Sequence, residues 1–526
     1  MTNVERRRNF SLLAGASIAA LLLGTAAGAQ TLTIAMESRL GALDPTISTS
    51  HQSRNHGYKI YDTLIAIDAD GNVRPQMAEW STSEDGKTYT FLLREGLIWH
   101  DGEPVTAEDA VASIERWGRA DRMGRALMQQ VEEIRINAQN EFVVELKSAS
   151  DLILTAFAKP SGLPLFVVPK RVAELEPGEP IDDYTGSGPF RFIASEFEPG
   201  ARVVYERFDG YLPRDEPASG LAGGKVANVE RIERIEMPDE LTKVNALLAG
   251  EIDFLEAIPY DLLRMVEGNN GVRVEVLDPV GYQNLYRFNQ LHPPFDNRLV
   301  RRAAMYAVDQ VSTLQAQIGE PDYYQICPSL FGCGLTYEFD AHADVIINSD
   351  IDRARELLEE AGYNDELVVL LHATDIPTLN ATPIVMAQQL RAAGFNVNVQ
   401  STDFMTMLSR RSSQAPADEG GWSIFVTGWH TSEIQDPARS VTVTANGLEA
   451  WAGWPDIPEI TEANEAYLAA GTEGERREIA QRIHERVLEE GASVPLGQFT
   501  RPTGVRSNVS GTVSAPVPVF WNISKE

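Results

Sequence analysis

Apolar and polar positions alternate from Thr31 to Met36 (TLTIAM), which predicts an opening strand. Thr88–Leu93 and Glu141–Leu146 carry the β-branched and aromatic density of further strands. Elsewhere the period lengthens. Thr106 to Asp109 (TAED) is a capping box opening a helix with Val111, Ile114 and Trp117 on one side. Asn297 is positioned to cap a helix in which Val300, Ala303, Ala304 and Ala307 share a face. A third helix starts in Ser349–Asp352, buries Ala354, Leu358 and Ala361, and stops at Gly362. An apolar strand, Leu367–Leu371, then a helix, Pro383–Ala393, ended by Gly394, then alternating Phe395, Val397 and Val399, make a βαβ unit. Such a unit pairs its strands in parallel. A late helix, Arg476–Glu490, turns Ala480, Ile483 and Val487 to one side before Gly491. The pattern is α/β throughout, without repeats. The Gly/Pro-rich stretch Asp209–Gly224 is expected to be a surface loop rather than a domain linker.

At 526 residues the chain exceeds what one hydrophobic core supports, so two or three packing units are expected. Its first 29 residues stand apart. Arg6, Arg7 and Arg8 form a basic start, Ser11–Gly24 an apolar stretch too short to span a bilayer, and Ala27-Gly28-Ala29 a small-residue cleavage site. Arg7-Arg8-Asn9-Phe10 also resembles the twin-arginine export motif, with an ordinary secretory leader as the alternative. Without that leader the chain has 42 basic and 75 acidic residues, a charge of −33. Acidity on this scale excludes nucleic acid, whose recognition needs Lys/Arg patches, and points to a soluble monomer, which the leader would export.

Chemistry is sparse by comparison. The two cysteines, Cys327 and Cys333, flank a short Pro/Gly loop. An oxidising compartment favours a disulfide there, and the rival metal pair lacks nearby His ligands. No HExxH, G-x-S-x-G or phosphate-binding loop occurs, so no catalytic residue and no metal or cofactor is expected. The aromatic residues say more. Trp422, Trp429, Trp451 and Trp454 fall close together. Trp422 precedes an apolar strand and reads as core, whereas Trp429 and His430 sit at the C-terminal end of that strand, where open α/β sheets place ligands. Trp451 and Trp454 are weaker candidates for the same wall.

The run from Tyr61 to Leu64 (YDTL), through Gly71, Pro75, Ala78–Trp80 and Lys87–Phe91, continues into Leu93–Leu97, Trp99–Gly102 and Val105–Val111. With Leu43–Pro45, Gly186–Phe190, Val300–Asp309, Ala361–Tyr363 and Gly428-Trp429, it resembles the extracellular solute-binding proteins of the dipeptide/oligopeptide/nickel class, family 5. The resemblance implies an α/β, two-lobed periplasmic binding protein with hinge crossings and an extra α/β domain, the cluster C type. It places lobe one at 30–51, 181–278 and 488–526, the extra domain at 52–180, and lobe two at 279–487, after a signal peptide at 1–29. It also implies a small solute held between the lobes and delivered to an ABC permease, with no reaction. The alternatives are an exported hydrolase or peptidase, and a chaperone-like or sensory binder on the same fold.

Candidate contacts follow from the same resemblance. Tyr282 and Asn284 border the cleft from lobe two, and Ser48 offers a hydroxyl from lobe one. Peptide binders of the family carry an Asp shortly after the Gly-Trp pair, for the peptide's ammonium. Here Thr431 or Ser432 stands in its place, with Glu433 and Asp436 as possible substitutes. A buried ammonium needs a carboxylate. The solute is therefore expected to be peptide-like or a relative without a free amino terminus: opine-like, sugar-derived, a modified amino acid or a metal chelate.

Overall fold

In a computed structural model the chain is described over residues 30–176 and 179–526; the leader and its twin-arginine motif lie outside the described residues. Two mixed sheets form the two lobes. The first runs in the order Phe190–Phe192, Arg202–Arg207, Arg231–Ile235, Thr31–Ala35, Phe254–Leu255, Thr503–Arg506, Val272–Glu275. Thr31–Ala35 sits at its centre, parallel to both neighbours, and buries Leu32 and Ile34 against Phe254 and Val505. The second sheet runs Tyr324–Gln325, Val494–Phe499, Tyr282–Phe288, Ile424–His430, Leu367–Ala373, Asn396–Thr402. Its last two strands pair in parallel across a helix, as the βαβ pattern requires. That helix begins at Pro377 rather than Pro383. Proline at the first turn gives up no hydrogen bond, which suits it to start a helix, while Pro383 is absorbed within.

The extra domain is a four-stranded antiparallel sheet, ordered Ala78–Thr82, Thr88–Leu93, Glu141–Leu146, Val131–Ala138. The helix Ala107–Ala120 covers it, with Ile114 and Trp117 in the core beside Phe91 and Phe142. The capping box forms: Asp109 N–H donates to Thr106 Oγ1, and the Asp109 carboxylate accepts from Thr106 N at 2.9 Å. Asn297 caps its helix as expected, Asp350 caps Ile351–Ala361, and Gly362 and Gly491 end their helices in the left-handed conformation.

The joints differ from the sequence expectation in three places. Helix His51–Ile60 packs on the first lobe, with Tyr58 and Ile60 in the core of Ile34 and Phe254. The extra domain therefore begins at the gate where Asp62–Thr63 pairs with Phe166–Val167, not at 52. The strand Val494–Phe499 is hydrogen-bonded to Tyr282–Phe288, so the chain returns to lobe one at 500–502 rather than 488. A helix end at Gly491 is not a lobe boundary when the strand after it completes the sheet. The loop 209–224 is not all surface: Leu221 and Ala222 are buried in lobe one, and Lys225 just beyond is buried on Asp62.

Two crossings, 276–281 and 500–502, join the lobes. They touch at Gly281, whose φ is +65° and whose missing Cβ would stand 2.2 Å from the Phe499 carbonyl oxygen. Only glycine fits there. Cys327 and Cys333 are joined in a disulfide with their Cα atoms 5.8 Å apart. No helix among the described residues is long and apolar enough to cross a membrane.

Candidate ligand-binding cleft

Between the lobes lies a cleft of about 2340 Å³. Lobe one contributes Ser48 to Gln52, the second crossing Arg501, the extra domain Asp121–Met123, Arg125 and Ser161–Leu163, and lobe two Tyr282, Asn284, Gln317 and Thr427–Trp429. The volume exceeds the few hundred to about 1,000 Å³ usual for small-ligand pockets.

Strand Ile424–His430 sets the main wall. Successive side chains along a strand leave on opposite sides. Trp429 faces the cleft, and His430 turns away, fully buried, to bond Asp278 Oδ2 at 2.8 Å. Asp278 lies in the crossing, so this pair braces the hinge. Burial acts to raise the Asp278 pKa, yet His430 beside it holds the carboxyl below the usual range. Tyr282 carries Arg501 over its ring at 3.7 Å, and Arg501 in turn is paired with Glu37. Asn284 donates to Gln317 Oε1 at 2.8 Å and to the Thr378 carbonyl at 2.6 Å.

Glu433 reaches the cleft, but its Oε1 is already engaged. It accepts from Ser161 Oγ at 2.5 Å, Gly162 N at 3.0 Å and His51 Nε2 at 3.1 Å. The carboxylate thus ties lobe two to the extra domain and to lobe one at once. Burial alone would raise its pKa; His51, with His430 and Arg54 further off, holds it well below the carboxylate range.

Of the sequence candidates, Ser48, Tyr282, Asn284, Trp429 and Glu433 line the cleft together. Six do not. His430 faces the hinge. Thr431 and Ser432 are buried in a short helix, Thr431–Ile434, whose first turn is capped by His430. Asp436 is spent on Arg439 Nε at 3.0 Å. Trp451 stands behind Trp429, edge-on at 5.6 Å, and Trp454 packs on Trp422 in the core as that residue does on Phe425. Sequence reasoning missed Arg411, at the end of a preceding helix, and Gln317 and the extra domain's Arg122, which lie far along the chain from the Gly-Trp pair.

Comparison with known proteins decides the family. The model of the bacterial extracellular solute-binding proteins, family 5 (middle), matches residues 72–448. The chain belongs to this family. A probable peptide ABC transporter periplasmic-binding protein of Sinorhizobium fredii is 36% identical to this solute-binding protein, over 99% of both chains. The nickel-binding periplasmic protein of Escherichia coli is 24% identical over 98% of this chain and 97% of its own. Among solved structures, a dipeptide-binding protein of Pseudoalteromonas with Met-Leu superposes with a TM-score of 0.78 at 19% identity, covering 94% of this chain and 100% of that one. The A. tumefaciens protein AgaA with agropinic acid gives 0.76 at 21%, covering 94% and 99%. These likenesses fix the two-lobed fold with its extra domain.

Proposed function

We propose that this solute-binding protein is the periplasmic receptor of an ABC importer. It takes up one small solute between its lobes and passes it to the inner-membrane permease, making and breaking no bond. The carrying observation is the cleft itself: three units wall it, and two crossings meeting at Gly281 let the walls approach. The periplasmic relatives support the same reading, as does the leader sequence at 1–29, which would export the mature monomer.

The solute is peptide-like in size and lacks a free ammonium group. The position after Gly428-Trp429 offers Ser432, buried in the short helix, and Asp436 is held by Arg439. Glu433 serves the contact between units.

Native mass spectrometry of the purified protein, with identification of whatever leaves on denaturation, tests the reading. One solute per chain, with compaction in small-angle scattering on binding, is the expected result. Turnover of that solute, or no binding of any small solute, would sink it. Trp429→Ala is expected to weaken the solute about tenfold or more, since a wall indole contributes buried area and a donor, without shifting the melting temperature. Unchanged affinity in calorimetry would remove Trp429 from the site.

A further inference from the structure

The lobe-two wall carries positive charge that no neighbouring acid neutralises. Arg411 ends the helix Phe404–Arg411 and lines the cleft. Its guanidinium lies 5.1 Å from the Trp451 ring and 5.2 Å from Phe425. Its backbone is fixed, because the core residue Trp422 donates its indole N–H to the Arg411 carbonyl at 3.1 Å. A second guanidinium, that of the fully buried Arg287, lies 4.9 Å from the same Trp451 ring. The two terminal nitrogens of Arg287 donate to the Thr442 and Trp451 carbonyls and Ser493 Oγ, and its Nε has no partner among the described residues. Among the described residues neither arginine has a carboxylate within 4.0 Å.

The buried cations Arg116, Lys159, Lys225 and Arg439 each hold an acid: Asp44, Asp121, Asp62 and Asp436. Buried Arg54 and Lys59 also lack a carboxylate, but they donate to Asn55 and Ser161, and Arg122 donates to the Ser440 carbonyl, whereas the Arg411 guanidinium donates to no group among the described residues. Two desolvated guanidiniums sharing one indole are costly without an anion. Desolvation brings Arg411 down to about 10, the direction expected of a cation waiting for a partner. Beside them the Trp429 indole N–H is buried with no acceptor among the described residues.

We infer that Arg411 is the anchor for a carboxylate of the solute. The fork of a guanidinium suits bidentate capture of a carboxylate, and stacking on Trp451 and Phe425 pre-orients it. Next along the wall, Asn284 Oδ1 and Gln317 Nε2 have no partner among the described residues, an acceptor and a donor for the uncharged polar body of the same molecule. The solute is then a small acid without an ammonium, and an N-blocked peptide acid and a sugar acid present the same chemistry. The inference rests on the cleft being the solute site.

Isothermal calorimetry separates the possibilities with four probes: N-acetyl-dialanine, its C-terminal amide, gluconate and free dialanine. At least one of the two acids is expected to bind, and which one names the source. The neutral amide should bind at least about tenfold more weakly than its acid. Arg411→Gln should lose about 100-fold or more for the acid, the size expected when one partner of a desolvated charged contact is removed. Arg411→Lys, with unaltered circular dichroism, should lose less, because it keeps the charge but not the fork. Acid binding undiminished in Arg411→Gln, an amide as tight as its acid, or no acid bound at millimolar concentration would each overturn the anchor. Compaction in scattering with dialanine alone would overturn the anchor and leave the receptor standing. Compaction with no probe, and no solute in native mass spectrometry, would count against the receptor itself.

Discussion

Replacing Lys225 with methionine is expected to destabilise the protein by about 3–5 kcal/mol, the cost of stripping one member from a buried ion pair. Lys225 Nζ donates to Asp62 Oδ1 at 2.7 Å, and both side chains are at most 2% exposed. Trp521 lies 4.8 Å from the ammonium, and the Tyr211 hydroxyl donates to Asp62 Oδ2 at 2.8 Å. Desolvation, then the nearby Asp62 charge, pushes the Tyr211 phenol well above its ordinary value, so it stays a neutral donor and cannot replace the lost cation. Methionine would fill the volume but leave the Asp62 charge buried. Asp62 stands at the gate to the extra domain and Lys225 in lobe one, so the seat of that domain is what loosens. Urea unfolding checks the cost. The double variant Asp62→Asn, Lys225→Met should regain a good part of the loss, since it removes both charges. A single variant within 1 kcal/mol of the parent would show that the ion pair does not hold the joint.

Local rules carried well where the cause was local. The capping box at Thr106 and the stop at Gly362 depend on neighbours a few residues away, and the parallel pairing of Leu367–Ala373 with Asn396–Thr402 spans only the one helix between them. The disulfide followed from two cysteines bracketing a turn. The lobe boundaries did not follow in the same way. Helix His51–Ile60 and strand Val494–Phe499 are assigned to lobes by partners far along the chain; the helix is mostly polar in sequence, and the strand's pattern is that of any buried strand. The cleft divides along the same line. Trp429 was legible because it ends a strand and follows Gly428 in a recognisable motif. Glu433 was legible as a carboxylate in reach of the site, but not as a tie between units, since His51 and Ser161 are 382 and 272 residues away. Asp436 looked free in sequence, yet Arg439 lies one helical turn beyond it, a spacing that brings the pair together. Arg411 offered no signal at all: a helix C-terminal arginine is ordinary, and what sets it apart is a guanidinium that lines the cleft with neither an acid nor a hydrogen-bond acceptor among the described residues.

Lowering the pH from 7 to 5 is expected to remove about 4 kcal/mol of stability through two buried imidazoles, and more once a third, His100, is added. Burial, with Lys59 and Arg234 adding to it, lowers His56 to about 3. Burial likewise lowers His484 to about 4, against a small opposing effect of the Ala341 carbonyl. Both side chains are fully buried, His56 against Tyr205 and His484 against Phe331 and Phe339. Each takes a proton near 6.5 when unfolded but not in the fold. As the pH falls below 6.5 the unfolded chain therefore binds more protons, and the native state loses ground until the folded values are reached. At pH 5 that difference is about 2 kcal/mol for each group. Half-buried His100, lowered by burial to about 4, adds in the same direction. The low-lying carboxylates Asp278 and Glu433 stay ionised in both states over most of this window. Lys59, brought to about 7 by burial, is charged in both states below that and adds no slope. His484→Gln tests the assignment, because an amide can still donate to the Ala341 carbonyl and accept from Leu330 N–H, the two bonds the imidazole makes at 3.3 and 3.4 Å. Its unfolding free energy should fall by about 2 kcal/mol less than the parent's between pH 7 and 5. An equal fall in both proteins would mean that His484 can be protonated inside the fold, through local opening of the segment around Phe331 and Phe339.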